Sequence, residues 1–278
     1  MPELPEVHTI VQDLKQAGLI GCQVKDVKVY WQKTIGSRSS EDFRHLLCHQ
    51  TITDLTRRGK HILMTLSGGY FLCIHLRMTG RLLLKDNLTF ENPYVRIRVD
   101  LDKGKSLYFH DTRKFGRWHL VKNPQQIVGK LGPEPLSEDF TFDSFSNMIV
   151  LRNRALKSLL LDQNFIAGLG NIYVDEALWE AKLHPLQCAN LLTASQIKEL
   201  YKSIRYVLNR GIESQGTTLG KGKTNYYRLD GTRGEHQNLL SVFRRTGQAC
   251  LRCDHKIEQI VVAQRSTHIC PNCQIIKK

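Results

Sequence analysis

Apolar residues near the start of the chain recur at helical spacing. Val7, Ile10, Val11 and Leu14 stand at i, i+3, i+4 and i+7, one stripe of an amphipathic helix. The pattern predicts a helix over 5–17, with Pro5 suited to the first helical position and Gly18 to the exit. From about residue 22 to 122 the period shortens. Residues 94–101 alternate Val95, Ile97, Val99 and Leu101 against Arg96, Arg98 and Asp100, the two-residue period of a half-buried antiparallel strand. Further strands are expected at 61–66, 70–76, 81–84, 106–109 and 117–121, parted by polar or Gly-containing turns. Many strands joined by short turns imply a β-sandwich.

Leu131-Gly132-Pro133-Glu134-Pro135-Leu136-Ser137 is the clearest boundary, because two prolines and a glycine stop regular structure. Beyond it, 155–161, 171–181 and 194–209 carry apolar residues at helical spacing, with Thr193 or Ser195 placed to cap the last. Residues 216–237 are Gly-rich and basic, with Lys221, Lys223, Arg228 and Arg233 against Asp230. They read as a long mobile loop. Gly222-Lys223-Thr224 resembles the end of a phosphate-binding loop, but Thr217 stands where that loop requires its first glycine, so nucleotide hydrolysis is not supported.

The 278 residues suggest two or three domains. With 41% hydrophobic and 24% charged residues the composition is that of a globular protein. No apolar run approaches the roughly 18 residues of a membrane span, and the acidic start at Glu3 does not fit a signal peptide; the expected compartment is the cytoplasm. Forty Lys and Arg against 26 Asp and Glu leave a net charge of +14, which favours a polyanionic partner, nucleic acid first. Of the eight cysteines, Cys22, Cys48, Cys73 and Cys188 are scattered and expected in the core. Cys250, Cys253, Cys270 and Cys273 form C-x2-C, sixteen residues, C-x2-C. That is a zinc spacing, with a disulfide pair as the alternative, and it predicts one structural Zn²⁺.

Met1-Pro2-Glu3-Leu4-Pro5-Glu6-Val7 resembles the opening of the formamidopyrimidine-DNA glycosylase family, bacterial base-excision repair enzymes that include endonuclease VIII. The resemblance continues through Arg58-Gly59-Lys60-His61, His75-Leu76-Arg77-Met78-Thr79-Gly80 and Asp111-Thr112-Arg113-Lys114-Phe115-Gly116. Residues 131–136, Gly168-Leu169-Gly170-Asn171-Ile172-Tyr173 and the cysteine module with Gln264-Arg265-Ser266-Thr267 complete it. Leu4 looks like the formamidopyrimidine branch rather than the endonuclease VIII branch. The resemblance implies an α+β fold: an N-terminal β-sandwich with flanking helices over 1–132, a helix-two-turn-helix segment over 133–240 and a C-terminal β-hairpin zinc finger over 241–278. It also implies a monomer acting on damaged double-stranded DNA at the nucleoid.

Residue chemistry agrees with that implication. Removal of Met1 would expose the secondary amine of Pro2, and an α-amino group of pKa roughly 7.7–8.0 is partly unprotonated at neutral pH. Attack on a sugar C1′ gives an iminium whose fixed positive charge acidifies the C2′ proton. In the family reading Glu3 shuttles protons and Glu6 orients the site, although a carboxylate in a first helical turn also suits the helix dipole. Lys60 is assigned to lesion and phosphate, and His75, Lys157 and Asn171 to phosphate or lesion positioning; Asn171 also suits a helix start. Met78, Arg113 and Phe115 lie in Gly-bounded turns and match a wedge that fills the hole left by an extruded base. Arg265, between the cysteine pairs, fits a hairpin tip entering DNA.

The implied activity is that of a bifunctional glycosylase and abasic-site lyase that removes oxidised purines and cuts the strand by β,δ-elimination. The alternatives are a non-catalytic zinc-containing damage-binding protein, or the same chemistry directed at oxidised pyrimidines. Three departures from the family pattern bear on the lesions accepted. Residues 219–237 do not resemble the common lesion-capping loop, Thr112 replaces a frequent Pro, and Arg77 stands where a small residue is common.

Overall fold

The computed structural model describes residues 1–86, 92–220, 222 and 226–276. They form two compact units: Met1–Lys130 with Ser214–Glu235, and Leu131–Glu213 with His236–Lys278. The first unit opens with helix α1 (Leu4–Gln16) and continues into β1 (Val24–Val29), α2 (Ser40–Leu47), β2 (Ile52–Arg58), β3 (His61–Leu66) and β4 (Phe71–His75). After these come β5 (Gly80–Asp86), β6 (Val95–Leu101), β7 (Lys105–Asp111), β8 (Arg117–Val121) and the short α3 (Gln125–Val128). The strands build two antiparallel sheets, in the orders β1-β6-β7-β5 and β2-β3-β4-β8. Their inward residues, among them Leu55, Ile62, Ile74, Phe109 and Trp118, are fully buried, and the apolar stripe of α1 joins the same core.

The sandwich is the one that the alternation predicts, and β3 and β8 coincide with the expected spans. Strands β1 and β2 carry no such signal, for a visible reason. Their register shifts at Val24/Asp26 and Ile52/Asp54, so the buried residues are Val24 and Val27, and Ile52 and Leu55. A bulge inserts one unpaired residue and turns a spacing of two into three.

In the second unit α4 (Phe142–Ile149), α5 (Leu156–Leu160), α6 (Asn171–Glu180) and α7 (Ala194–Glu213) precede the hairpin of β9 (Glu258–Val262) and β10 (Arg265–Ile269). Thr193 caps α7, its hydroxyl accepting from Gln196 N at 3.3 Å. Gly211 on α7 lets α6 approach: a Cβ there would stand 2.5 Å from the Tyr173 ring. Helix α6 is buried from Ile172 through Trp179, and a helix covered on all sides has no amphipathic stripe.

Residues 214–235 correct the expectation of a mobile loop, while Lys221 and Lys223 lie outside the described residues. The segment is fastened along α1. The Glu6 carboxylate accepts Thr217 N at 2.8 Å, and the Arg228 guanidinium donates to both oxygens of Asp13 at 2.7 and 3.2 Å. Tyr226 and Leu229 enter the sandwich core. The Tyr226 hydroxyl donates to Gln215 O at 3.0 Å, and Tyr226 O accepts from the Thr218 hydroxyl at 2.9 Å. Tyr226→Ala is expected to cost about 3–5 kcal/mol, the range for a buried aromatic. Urea unfolding should show the loss, and hydrogen exchange should show Thr217 and Thr218 losing protection first. Unchanged protection there would mean that the segment is held without Tyr226.

Candidate active site and metal centre

Pro2 is buried immediately before α1, and Glu3 and Glu6 form a capping box across its first turn. Glu6 receives Glu3 N at 2.8 Å on one oxygen and Thr217 N at 2.8 Å on the other. A single carboxylate, 1% exposed, thus ties the residue next to Pro2 to a backbone 211 positions beyond Glu6 itself. Thr217 is a site residue that sequence reading missed. The Gly216-Thr217-Thr218 run contains no sign that its backbone meets α1.

Gly59 and Lys60 form the two-residue turn of the β2–β3 hairpin, with Arg58 paired to His61 and Gly59 at φ +55°. Lys60 is buried at 5% exposure. His75, at the end of β4, lies directly opposite His61, and the two rings meet edge to face at 4.6 Å. Arg77 N donates to His75 Nδ1 at 2.9 Å, which makes that nitrogen an acceptor and keeps the ring neutral. Burial, then His61, Arg77 and Lys60, push His75 down to about 2; burial, then Arg77 and His119, push His61 down to about 4.

The two Gly-bounded turns converge. Asp111, fully buried, accepts Gly116 N at 2.8 Å, Arg113 N at 3.2 Å and the Thr79 hydroxyl, so one carboxylate shapes both turns. Glycine is required at 116, where a Cβ would lie 2.2 Å from the Phe109 ring. Met78, Arg113 and Phe115 come together as a result. Arg113 donates to Met78 Sδ at 3.4 Å, and its guanidinium stands 4.7 Å over the Phe115 ring. Met78 and Phe115 are each 45% exposed, a raised apolar tip with a cation on it. Arg77 and Lys114 occupy the left-handed region at φ +55° and +60°, where any residue with a Cβ is strained and glycine is not.

The remaining candidates belong to the second unit. Lys157 on α5 is fully buried, with its ammonium 2.6 Å from Asp175 Oδ1 and 3.2 Å from Ser266 O. Asn171, the first residue of α6, donates to the same carbonyl at 2.9 Å. Arg265 opens β10 directly after Ala263 and Gln264, both left-handed, and is exposed at the hairpin tip. Asp175 is another residue that the sequence alone did not single out, since an acidic residue within a helix has no distinguishing pattern.

The four cysteines meet. Cys250 and Cys273 sulfurs lie 3.9 Å apart, Cys253 and Cys270 3.4 Å, and Cys253 and Cys273 3.4 Å, and all four fall within 4.8 Å of one another. Tetrahedral thiolates at about 2.3 Å from zinc would stand roughly 3.8 Å apart, whereas a disulfide would need about 2.05 Å. The sulfurs fit a structural Zn²⁺ with a closed shell and not a disulfide. The Trp179 indole N–H donates to Cys250 Sγ at 3.4 Å, and the Arg252 guanidinium lies 3.7 Å over the Trp179 ring. The indole donor offsets the negative charge of the thiolates, while Arg252 is itself paired with Glu180 at 2.8 Å.

Residues 1–118 match the formamidopyrimidine-DNA glycosylase N-terminal domain, 131–222 its H2TH domain, and 247–275 the zinc finger found in FPG and IleRS. Sandwich, helical segment and four-thiolate hairpin define the class: a helix-two-turn-helix protein with a zinc finger. The chain belongs to the formamidopyrimidine-DNA glycosylase family. It is 58% identical over 274 residues to the formamidopyrimidine-DNA glycosylase of Protochlamydia amoebophila, spanning 99% of each chain. It is 45% identical to that of Herpetosiphon aurantiacus over 277 residues, 99% of this chain and 100% of the relative. A Lactococcus lactis Fpg solved in complex with an abasic site containing DNA superposes with a TM-score of 0.90 at 34% identity, covering 98% of this chain and 99% of that one. The MutM (Fpg) protein from Thermus thermophilus gives 0.89 at 38% identity, with both chains fully covered. No helix among the described residues is long and apolar enough to cross a membrane.

Two predictions follow from the site geometry. Cys250→Ser should abolish zinc binding and DNA affinity together while the sandwich stays folded, because the segment around the cysteines has too little core to hold itself. Elemental analysis and a binding assay on one preparation decide it; full affinity in zinc-free protein would refute it. The second concerns acid. In the unfolded chain His61 takes a proton near 6.5, but in the folded chain only near 4, so its contribution is complete above 6.5 and is lost as pH falls through that window. His61→Phe should flatten the dependence of unfolding free energy on pH between those values by up to about 1.4 kcal/mol per pH unit. An unchanged slope would mean that His61 titrates alike in the folded and the unfolded chain.

Proposed function

We propose that Pro2 is the nucleophile of a bifunctional DNA glycosylase and abasic-site lyase acting on formamidopyrimidines, 8-oxoguanine and abasic sites in duplex DNA. Full-length kinship at 58% identity carries the activity, and the Pro2-Glu3-Glu6 start supports the residue assignment. Once Met1 is removed, the Pro2 nitrogen lone pair attacks C1′, and the C1′–base bond breaks as the base leaves with its electron pair and a proton. The C1′–O4′ bond then breaks, its electron pair going to O4′, which takes a proton from Glu3 as the nitrogen lone pair forms the C1′=N bond. The resulting iminium holds its charge without a proton, so C2′ loses a proton readily and the 3′ phosphate is expelled. A second elimination expels the 5′ phosphate. Glu6 holds Glu3 through the backbone N–H, which makes it a positioning residue.

The DNA-contacting roles divide by shape. Met78, Arg113 and Phe115 form the wedge, since extruding a base costs a few kcal/mol of stacking that inserted side chains recover in part. Lys60, His75 and Asn171 serve lesion and backbone phosphate, and Arg265 reaches the DNA from the hairpin tip. Residues 1–132 carry the chemistry, 133–240 and 241–278 the helical and zinc-finger contacts. The protein works as a cytoplasmic, nucleoid-associated monomer. The described part of 214–235 is pinned to α1, which favours a lesion spectrum set by a largely preformed segment.

Pro2→Gly is expected to retain binding to lesion DNA and lose most base excision, with weaker borohydride trapping, because a glycine amine still forms an imine less readily. Trapping and nicking assays on an 8-oxoguanine duplex check it. Wild-type excision by the variant would refute the nucleophile, and binding by the wild type without adduct or nicking would point to a non-catalytic damage-binding protein.

A further inference from the structure

Lys157 carries the charge expected of a phosphate contact, yet none of its surface is exposed. Its ammonium is spent inside the protein on the Asp175 carboxylate, itself fully buried. The other Asp175 oxygen faces the hairpin: it accepts His268 N at 2.9 Å and lies 3.2 Å from His268 Nδ1. The His268 ring in turn stands edge to face with Phe243 at 5.0 Å. Two positions before His268, Ser266 O takes both Lys157 Nζ and Asn171 Nδ2. Three elements, α5, α6 and β10, therefore meet at one buried ion pair, and the bonds on β10 fall at residues 266 and 268, on either side of the buried Thr267. Arg265 is the next residue toward the tip.

We propose that Lys157, Asp175 and His268 are positioning residues that hold the hairpin so that Arg265 is presented to DNA, and that Lys157 acts through the protein instead of on a phosphate. The proposal rests on the reading that Arg265 contacts the damaged duplex. The chemistry favours it. A buried ammonium and carboxylate at 2.6 Å cancel each other, so the pair adds no net charge toward a polyanion, and separating them to free Lys157 would leave Asp175 uncompensated in a dry site. Asp175 holds Lys157 through one carboxylate oxygen and β10 through the other. A residue fixed at 266 and 268 leaves the backbone of Arg265 little freedom, and only the side chain beyond it remains to adapt.

A mutant cycle tests this, read as affinity for a duplex carrying a tetrahydrofuran abasic analogue across a series of salt concentrations, on protein of verified zinc content. The forms compared are wild type, R265A, the paired variant K157M/D175N, which removes both charges at once, and the three substitutions together. R265A and the paired variant are each expected to weaken binding by about ten- to a hundredfold, as misplacement of a contact by an ångström does. The triple variant should then bind no more weakly than R265A, with the same slope of log affinity against log salt, because residues acting through one another do not add. Additive losses, with a slope flatter by about 0.9 in the triple variant, would overturn the proposal and make Lys157 a direct phosphate contact. Wild-type affinity in R265A would instead overturn the reading of Arg265 on which the proposal stands. H268F keeps the Lys157–Asp175 pair and removes only the imidazole contact, so it decides the matter should the paired variant not fold. Its expected loss is smaller and vanishes in the R265A background; a loss that persists there, or no loss at all, goes against the latch.

Discussion

A carboxylate withdrawn from water must be met by hydrogen-bond donors or by a positive charge, or it will not remain ionised. Much of the organisation of both units follows from that requirement. Glu6, Asp13, Asp111, Asp175 and Glu176 are all buried, and each gathers donors that lie far from it in sequence or hold a tight turn in shape. Glu6 collects Glu3 N and Thr217 N, and Asp13 collects the Arg228 guanidinium and Leu229 N. Asp111 closes the turns that carry Met78, Arg113 and Phe115. Asp175 and Glu176, adjacent on α6, grip β10 and the backbone N–H groups of Ser241, Val242 and Phe243. Replacing any one of them by an apolar residue would strand several donors at once, at about 1–3 kcal/mol for each left unsatisfied.

The same arrangement shapes the electrostatics that DNA meets. With six of the 26 acidic groups buried, Glu3 among them, an excess of cations over anions remains for the surface, which is what counterion release requires. Several of those cations rest on aromatic faces, as Lys114 does over Trp31 at 3.9 Å and Arg81 over Tyr227 at 4.6 Å. Stacking of this kind orders a cation without neutralising it. Lys157 and Arg228 differ from these, since their charges are met by the buried carboxylates of Asp175 and Asp13.

Zinc does for the C-terminal segment what apolar burial does for the sandwich. The cluster around it contains Trp179, Val242, Ile257 and the four cysteines, and little else. A core so small does not offset the entropy of ordering the chain, and the metal supplies the difference. Helix α6 then couples the metal site to the rest of its unit: Trp179 reaches Cys250, and one turn earlier Asp175 reaches His268.

How much of this the sequence determined depends on the range of the interaction. The zinc ligands were legible because each knuckle is built within four residues, and α1 and the strands at 61–66 and 117–121 because helix and strand periods are local. The motif turns 76–80 and 111–116 were visible as patterns, but not the fact that Asp111 joins them. Strands β1 and β2 were hidden because bulges break the two-residue period on which strand reading relies. Residues 216–237 looked like a mobile loop because glycine and charge are all that the local sequence displays. Their partners on α1 lie more than 200 residues away. Whether Lys157 faces solvent or Asp175 is likewise absent from any local pattern. A lysine reads the same in either case, and only the packing of α5, α6 and β10 around one buried carboxylate decides which way its charge points.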